Sequence, residues 1–531
     1  MTFTSFPFLL FVAAVVLVYY LVPGRFQWCV LLLASLVFYW VNSRWLLLVL
    51  LAAAALTYGA GRAIHTVNDA GRRSLKEQGA ALSREEKKLC KERTKKKAKR
   101  ILLLGVLLDL GMLLFLKYHN FFAETSNSLL GRFGLTIPLH RLLLPLGISY
   151  YTLQAIAYMV DIYRGKYEPD RNFGKFLLFM SFFPQLIQGP IARHDQLARQ
   201  LYAEHRFDYQ RLCYGVQLML WGWMKKLIIA DRLAMPVDQI FNNSARYSGL
   251  LVFFGAVCYG LQVYTDFSGG IDVARGFSQI LGVELAENFR QPYFSRSIEE
   301  FWRRWHITLG AWLRDYVFYP LSLSKTFGNL GKKARKTFGT SFGKKLPAFL
   351  AMFIVYFLVG FWHGPSWKYI AFGVWNAVFI MSGILLKEFY EAARQKCGIR
   401  EDAVTWRVFQ MFRTFLICSM GRFFSRAGRL TTAVSMFASV FRNTRDLSFL
   451  LDGTLLTLGL DTANWFLLFI AVLVLFAVGL LHERGVRLRE AIAAQPLIFR
   501  WGIYCAAVLA LLVFGMYGPA YSKTAFIYEQ F

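Results

Sequence analysis

Apolar positions in this chain fall in long unbroken runs rather than alternating with polar ones. The runs are 3–22, 26–41, 45–61, 101–118, 145–163, 174–192, 211–230, 247–266, 347–362, 367–386, 407–424, 463–481 and 497–517. A helix of about 20 mostly apolar residues crosses the hydrocarbon core of a bilayer. The pattern therefore predicts an all-α, polytopic integral membrane protein with about 11–13 membrane helices, the shortest runs being re-entrant or interfacial. No Lys or Arg precedes the first run, and Val22-Pro23-Gly24-Arg25 is not a small-residue cleavage site, so that run is expected to remain as a span. No period of 20–50 residues is found, which leaves transporter-style inverted halves unsupported. The expected organisation is membrane helices over 1–61, a basic cytoplasmic loop over 62–100, a core over 101–390 and further membrane helices over 391–531.

Composition agrees with this class: 56% of the 531 residues are hydrophobic, 17% are aromatic, and the mean hydropathy is +0.40. The net charge of +29 would suit a nucleic-acid partner if it were spread along a domain, but the bases sit between the apolar runs. Residues 62–100 hold fourteen Lys/Arg against five Asp/Glu and end in ERTKKKAKR. Short loops of this kind stay in the cytoplasm. Counting back through three spans places the N-terminus outside. A second basic stretch, Lys325 to Lys345, is expected to be a second cytoplasmic loop. The partner these charges imply is the bilayer, with no nucleic acid. The seven cysteines are scattered and lack metal-type spacing, so neither a disulfide framework nor a metal site is indicated.

Two segments carry candidate chemistry. In 264–320, Asp266, Ser268, Gly269-Gly270 and Asp272 interrupt the apolar pattern just after a span, which predicts irregular backbone at membrane depth. Ser297 followed by Glu299 and Glu300 reads as a helix start. At helical spacing Trp302, His306, Leu309 and Leu313 then share one stripe, with Arg303, Arg304 and Arg314 on other faces. His306 on that stripe is either a satisfied core residue or a functional one. The second segment, FWHGPSWKYIAFGVWNA (361–377), ends an apolar run at His363, directly before Gly364-Pro365, a pair that stops a helix. Ser366 is then available to cap the next helix. An imidazole at such depth is a functional-site candidate by default, and its ordinary pKa near ~6.5 suits proton exchange at neutral pH. The alternative is an interfacial histidine bonded to a carbonyl.

Other polar and aromatic residues have competing readings. Asp266 and Asp272 pair with Arg275 or a histidine, or line a site. Arg314-Asp315 closes a helix end or meets substrate. Gln188 and Asn376 bond a neighbouring helix or a ligand. Trp302, Trp305, Trp312 and Trp362 pack at the interface or stack on a sugar. Lys225-Lys226 reads as a cytoplasmic anchor or a phosphate contact. No nucleophile elbow, zinc signature, Walker motif or dinucleotide fingerprint competes with the histidines.

Four stretches together, FPQLIQGPIARHDQL (183–197), DFSGGIDVARG (266–276), EEFWRRWHITLGAWLRDYVFYPL (299–321) and FWHGPSWKYIAFGVWNA, resemble the membrane-bound O-acyltransferases. Within that family they are most similar to the bacterial branch serving alginate O-acetylation and teichoic-acid D-alanylation. The resemblance is densest over 264–377 and fades after about residue 390. It implies a core of re-entrant or broken helices around a central funnel, with a thioester entering from the cytoplasm and a hydroxyl acceptor from outside. It maps the family's catalytic histidine onto His363 and a second histidine onto His306. The candidate substrate contacts are Asp266, Trp302, Trp305, Arg314, Asp315, Trp362 and Asn376. The chain's length and its late apolar runs favour the acetylating type. The resemblance thus implies acetyl-CoA as donor and no bound cofactor. It also implies an extracytoplasmic polysaccharide acceptor, an exported SGNH-type acetyltransferase-like relay protein as partner, and a multi-pass location in a bacterial inner membrane. The alternatives are D-alanyl transfer from an acyl-carrier protein and a proton-coupled transporter.

Overall fold

The computed structural model describes residues 1–77, 82–140, 142–186, 188–442 and 447–517. Residues 78–81 of the basic segment and Ile187 of the 183–197 motif lie outside that range. The regular structure among the described residues is helical, with one isolated antiparallel bridge between Phe289 and Trp305. The backbone divides into two compact units, 1–215 with 277–286 and 216–276 with 287–531.

Among the described residues seven helical stretches are long and apolar enough to cross a membrane: Gly24–Glu77, Arg84–Phe133, Gly249–Ile280, Thr340–His363, Trp367–Leu385, Thr462–Glu483 and Leu497–Phe514. Phe6–Leu21 and Leu430–Arg442 are apolar but shorter. The difference from the count of apolar runs has local causes. Runs 26–41 and 45–61 join into one helical stretch interrupted at Arg44, whose φ is +45°. Run 174–192 stops being helical after Ser181 and restarts only as the short Phe183–Leu186 turn. Run 407–424 lies in Val404–Arg426, which carries Arg407, Arg413, Arg422 and Arg426.

In the first unit the Ile148–Arg164 helix is buried along most of its length and packs on Leu47–Glu77 and Arg84–Leu113. Gly61 accommodates the Tyr158 ring, since a Cβ there would lie 2.8 Å from it. The basic segment expected to be a loop is helical on both sides of 78–81. Ser83 and Glu86 form a reciprocal capping box, with bonds of 3.2 and 2.8 Å, and the Lys, Arg and Glu residues that follow are good helix formers with solvated ends.

Gly249–Ile280, whose residues up to 276 belong to the second unit, runs as one 32-residue helix straight through Asp266-Phe-Ser-Gly-Gly-Ile-Asp272. The irregular backbone expected there is not found. Its polar residues are instead matched by a facing π-helical turn, Met224–Ala230. Lys226 pairs with Asp266 at 2.6 Å and Asp231 at 2.9 Å. Lys225 pairs with Asp272 at 2.7 Å and donates to the Ser268 hydroxyl at 2.9 Å. Gly269 lets the two segments approach: a Cβ on it would sit 2.7 Å from the Gly222 carbonyl oxygen. Buried charges persist only when paired, and here every lysine of the turn has a carboxylate. Lys225-Lys226 is therefore part of the unit's interior. Thr340–His363 and Trp367–Leu385 form a hairpin of spans whose closest approach is at Gly360 and Gly373, where a Cβ on either residue would collide with backbone of the other helix.

Candidate active site

His306 sits at a break, not inside a helix. Ser297 caps the first turn by accepting from Glu300 N at 3.1 Å, as its position predicts, but that helix ends at Arg304. Trp305 is extended and bridges Phe289. His306 then adopts φ +47°, ψ 52°, and a new helix runs from Ile307 to Leu313. The continuous stripe through Trp302, His306 and Leu309 is thus interrupted. A non-glycine residue in the left-handed region costs on the order of 1–3 kcal/mol and persists only where its surroundings fix it.

The surroundings do so through residues 288–290. Ile307 N donates to the Asn288 carbonyl at 3.1 Å and Arg290 N donates to the Arg304 carbonyl at 3.0 Å. The Asn288 side-chain oxygen accepts from both Thr308 N at 2.9 Å and the Thr308 hydroxyl at 2.6 Å. Asn288 was not singled out by sequence pattern, and only its place between a span and a Pro-containing turn hints at a clamp.

The His306 ring is 1% exposed. Phe267, from the Gly249–Ile280 helix, meets it edge-on at 4.9 Å, and Trp362 lies 5.5 Å away on another side. His306 is outside the seven spans. Burial, and after it the field of His363, pushes its pKa down to about 3. Charging this buried ring would strip it of water, which favours its neutral form.

His363 is the last residue of the Thr340–His363 helix, followed by Gly364, as the Gly-Pro pair predicts. Ser366 occupies the N-cap position of Trp367–Leu385 but forms no side-chain cap; its carbonyl accepts from Tyr369 N at 3.1 Å instead. The His363 ring is half-buried. It stands 5.2 Å from Trp362, 5.8 Å from Phe372 and 6.4 Å from Tyr369. Trp362 therefore neighbours both imidazoles, and the second unit alone brings the two together. One ring is sealed and the other reachable.

Trp302 and Asn376 join this cluster. The Trp302 indole N–H donates to the Asn376 side-chain oxygen at 3.1 Å, while the Asn376 amide donates to the Phe372 carbonyl at 2.8 Å. Asn376 is buried and bonds a neighbouring helix, and Trp302 also packs against Phe372 and Tyr356. Trp305 lies in the core, stacked on Phe301 at 5.4 Å. Asp266 is held by Lys226 at 2.6 Å, and its neighbour Phe267 meets the His306 ring. Arg314 and Asp315 pair with each other at 3.0 Å in a π-helical turn, Arg314–Phe318, on the more exposed side of the segment. Among the described residues no group of three or more His, Cys, Asp or Glu side chains is arranged to hold a metal ion.

What this arrangement can do is move a proton at His363 beside a rigid, neutral, largely aromatic wall. Comparison with known proteins identifies the family. The model of the membrane-bound O-acyltransferase family matches residues 169–425, which include both histidines. A probable alginate O-acetylase AlgI of Pseudomonas syringae is 35% identical over 347 residues, 65% of this chain and 61% of that relative. Its counterpart in Azotobacter vinelandii is 34% identical over 445 residues, 83% of this chain and 78% of the relative. A peptidoglycan O-acetyltransferase of Helicobacter pylori is 29% identical over 364 residues, 63% of each chain. Motifs, helical membrane architecture and a relative covered over more than three quarters of its length converge on one conclusion: this chain belongs to the membrane-bound O-acyltransferase family.

Proposed function

We propose that this chain transfers an acetyl group from a cytoplasmic thioester, acetyl-CoA, toward a hydroxyl of an extracytoplasmic polysaccharide, with His363 as general base. The observation that carries this reading is the unequal burial of two neighbouring imidazoles. A base that must meet an incoming hydroxyl has to be reachable, and His363 is half-buried where His306 is 1% exposed. His363 takes the acceptor's proton as its oxygen attacks the thioester carbonyl carbon. The tetrahedral adduct then collapses, the C–S bond breaks, and the proton passes to the leaving thiolate. A positioned base of this kind contributes on the order of 10²–10⁴-fold in rate. His306, neutral and fixed, orients the acceptor or steadies the developing oxyanion. The names of the relatives support a cell-envelope glycan as the acceptor class. An exported SGNH-type relay protein would carry the acetyl group from this membrane site to the polymer. Lys/Arg-rich 62–100 and 325–345 support a cytoplasmic position for those segments in a bacterial inner membrane, with the N-terminus outside.

The test is release of labelled acetyl from acetyl-CoA by the purified protein, compared with His363→Ala and His306→Asn. Loss of release in the His363 variant, with an unchanged melting profile, supports the assignment. Wild-type protein that leaves acetyl-CoA intact but consumes a D-alanyl thioester on a carrier protein overturns the donor. Full activity without His363 overturns the mechanism.

A further inference from the structure

The mechanism leaves a buried cation of the second unit unexplained. Arg422, on Val404–Arg426, is 6% exposed, and among the described residues no carboxylate pairs with it. The other buried cations of the second unit are matched: Lys225 and Lys226 by aspartates, and Arg232 by two carbonyls and the Asn464 amide oxygen. A guanidinium left without a counter-ion in a core is costly unless it is held by other acceptors, and those acceptors show what it organises.

Both acceptors lie on the segment that carries His306. The guanidinium carbon stands 4.8 Å from the centre of the Trp305 ring, within range of a cation–π contact strengthened by desolvation. Phe301 stacks on Trp305 with an interplanar angle of 19°, so the indole is sandwiched. Arg422 also bonds the Tyr293 hydroxyl, which donates to the Gly260 carbonyl at 2.6 Å. Trp305 is the extended residue whose direction places His306 in its left-handed conformation, and Tyr293 opens the turn that returns toward Trp305. Arg422 does not touch the imidazole.

We propose that Arg422 is a positioning residue for His306: by clamping Trp305 and Tyr293 it holds the break in which His306 stays sealed against Phe267 and Trp362. The inference concerns the acyl-transfer reaction proposed above, but its structural half can be read without that reaction. The clamp lies on a helix that sequence pattern left unassigned beyond its hydropathy.

The experiment uses the full chain in detergent with Arg422→Met, which fills similar volume without charge, and Arg422→Lys, which keeps a cation but not a planar stack. Arg426→Ala serves as the control: it removes a cation one turn away whose partner is the surface residue Asp238. The first readout is carbethoxylation of each histidine by diethyl pyrocarbonate, mapped by mass spectrometry. The second is kcat and KM for acetyl-CoA. Wild type and Arg426→Ala should show a reactive His363 and an unreactive His306. Arg422→Met should make His306 reactive and lower kcat about 10- to 100-fold at unchanged KM, the scale of a misplaced catalytic group, with Arg422→Lys intermediate in both. A folded Arg422→Met protein with His306 still unreactive and kcat unchanged overturns the proposal. If that variant does not fold, wild-type behaviour of Arg422→Lys in both readouts overturns it equally. Exposure of His306 in Arg422→Met combined with full activity of His306→Asn supports the clamp and rejects only the catalytic part assigned to His306.

Discussion

Lowering the pH tests whether His306 is as deeply buried as its surroundings indicate. In the folded chain burial, followed by the field of His363, depresses its pKa to about 3, whereas an unfolded histidine titrates near ~6.5. Above the unfolded value neither state binds the proton and the residue has no effect on stability. Below it the unfolded chain takes up a proton that the folded chain refuses, so stability falls with decreasing pH. The loss approaches ~1.4 kcal/mol per pH unit and ends where the folded ring itself protonates, at about 3. At pH 5.5 the expected cost is about 1.4 kcal/mol, and at pH 4.5 about 2.7 kcal/mol. Asparagine tolerates the left-handed backbone at φ +47° and does not titrate. His306→Asn is therefore the reference, and alanine would add strain of its own. The assay is thermal unfolding of wild type and His306→Asn in detergent at half-unit steps from pH 7.5 to 4.5. The two melting curves should run parallel above pH 6.5 and diverge below it, wild type falling faster by the equivalent of one proton. Parallel curves down to pH 4.5 would refute the reasoning, because a ring that charges freely in the folded state is neither sealed nor neutral.

Other substitutions probe the supports of the site. Asn288→Ala removes the acceptor of both Thr308 bonds and should cost about 1–3 kcal/mol, while Asn288→Asp keeps the acceptor and should cost less; thermal melting at neutral pH compares them. Asp266→Leu removes one of the carboxylates that Lys226 meets and keeps Asp231 at 2.9 Å; it should destabilise by about 1–3 kcal/mol in the same melting assay. Gly373→Val places a Cβ against the Tyr356 carbonyl and should part the two spans flanking His363, lowering folded yield in fluorescence-detected size exclusion. Gly383→Ala, where nothing lies within 4 Å, should be neutral or slightly stabilising.

The spans were legible because a bilayer imposes length and apolarity together, and Thr340–His363 and Trp367–Leu385 begin and end close to the runs that announce them. The polar interruption at 266–272 was misleading for a physical reason. Polar residues at membrane depth need partners, and a broken backbone is only one source of them. Lys225 and Lys226, about 40 residues earlier in the chain, supply the other. Nothing in the spacing of either segment shows that they face each other, although the charge balance does: two lysines are set against Asp231, Asp266 and Asp272 within otherwise apolar stretches. In 62–100 dense charge marks a segment between spans without setting its backbone: Lys, Glu and Arg form helix well when one face or none is buried, and Ser83 with Glu86 marks a helix start.

The histidines divide along the same line. His363 was placed by covalent chemistry alone, since Gly364-Pro365 cannot continue a helix. His306 was read as part of a continuous stripe because two short helices that each bury one face leave nearly the same periodicity as a single long one. What differs is the backbone at one residue, and the causes of that difference lie elsewhere in the chain: Asn288 and Arg290 on one side, Arg422 on the other. A left-handed histidine held by remote partners resists rotation into an ordinary helix, which would turn its ring away from Trp362. The strain at His306 and the seal around it are therefore the same feature, and any change that relaxes the first should open the second.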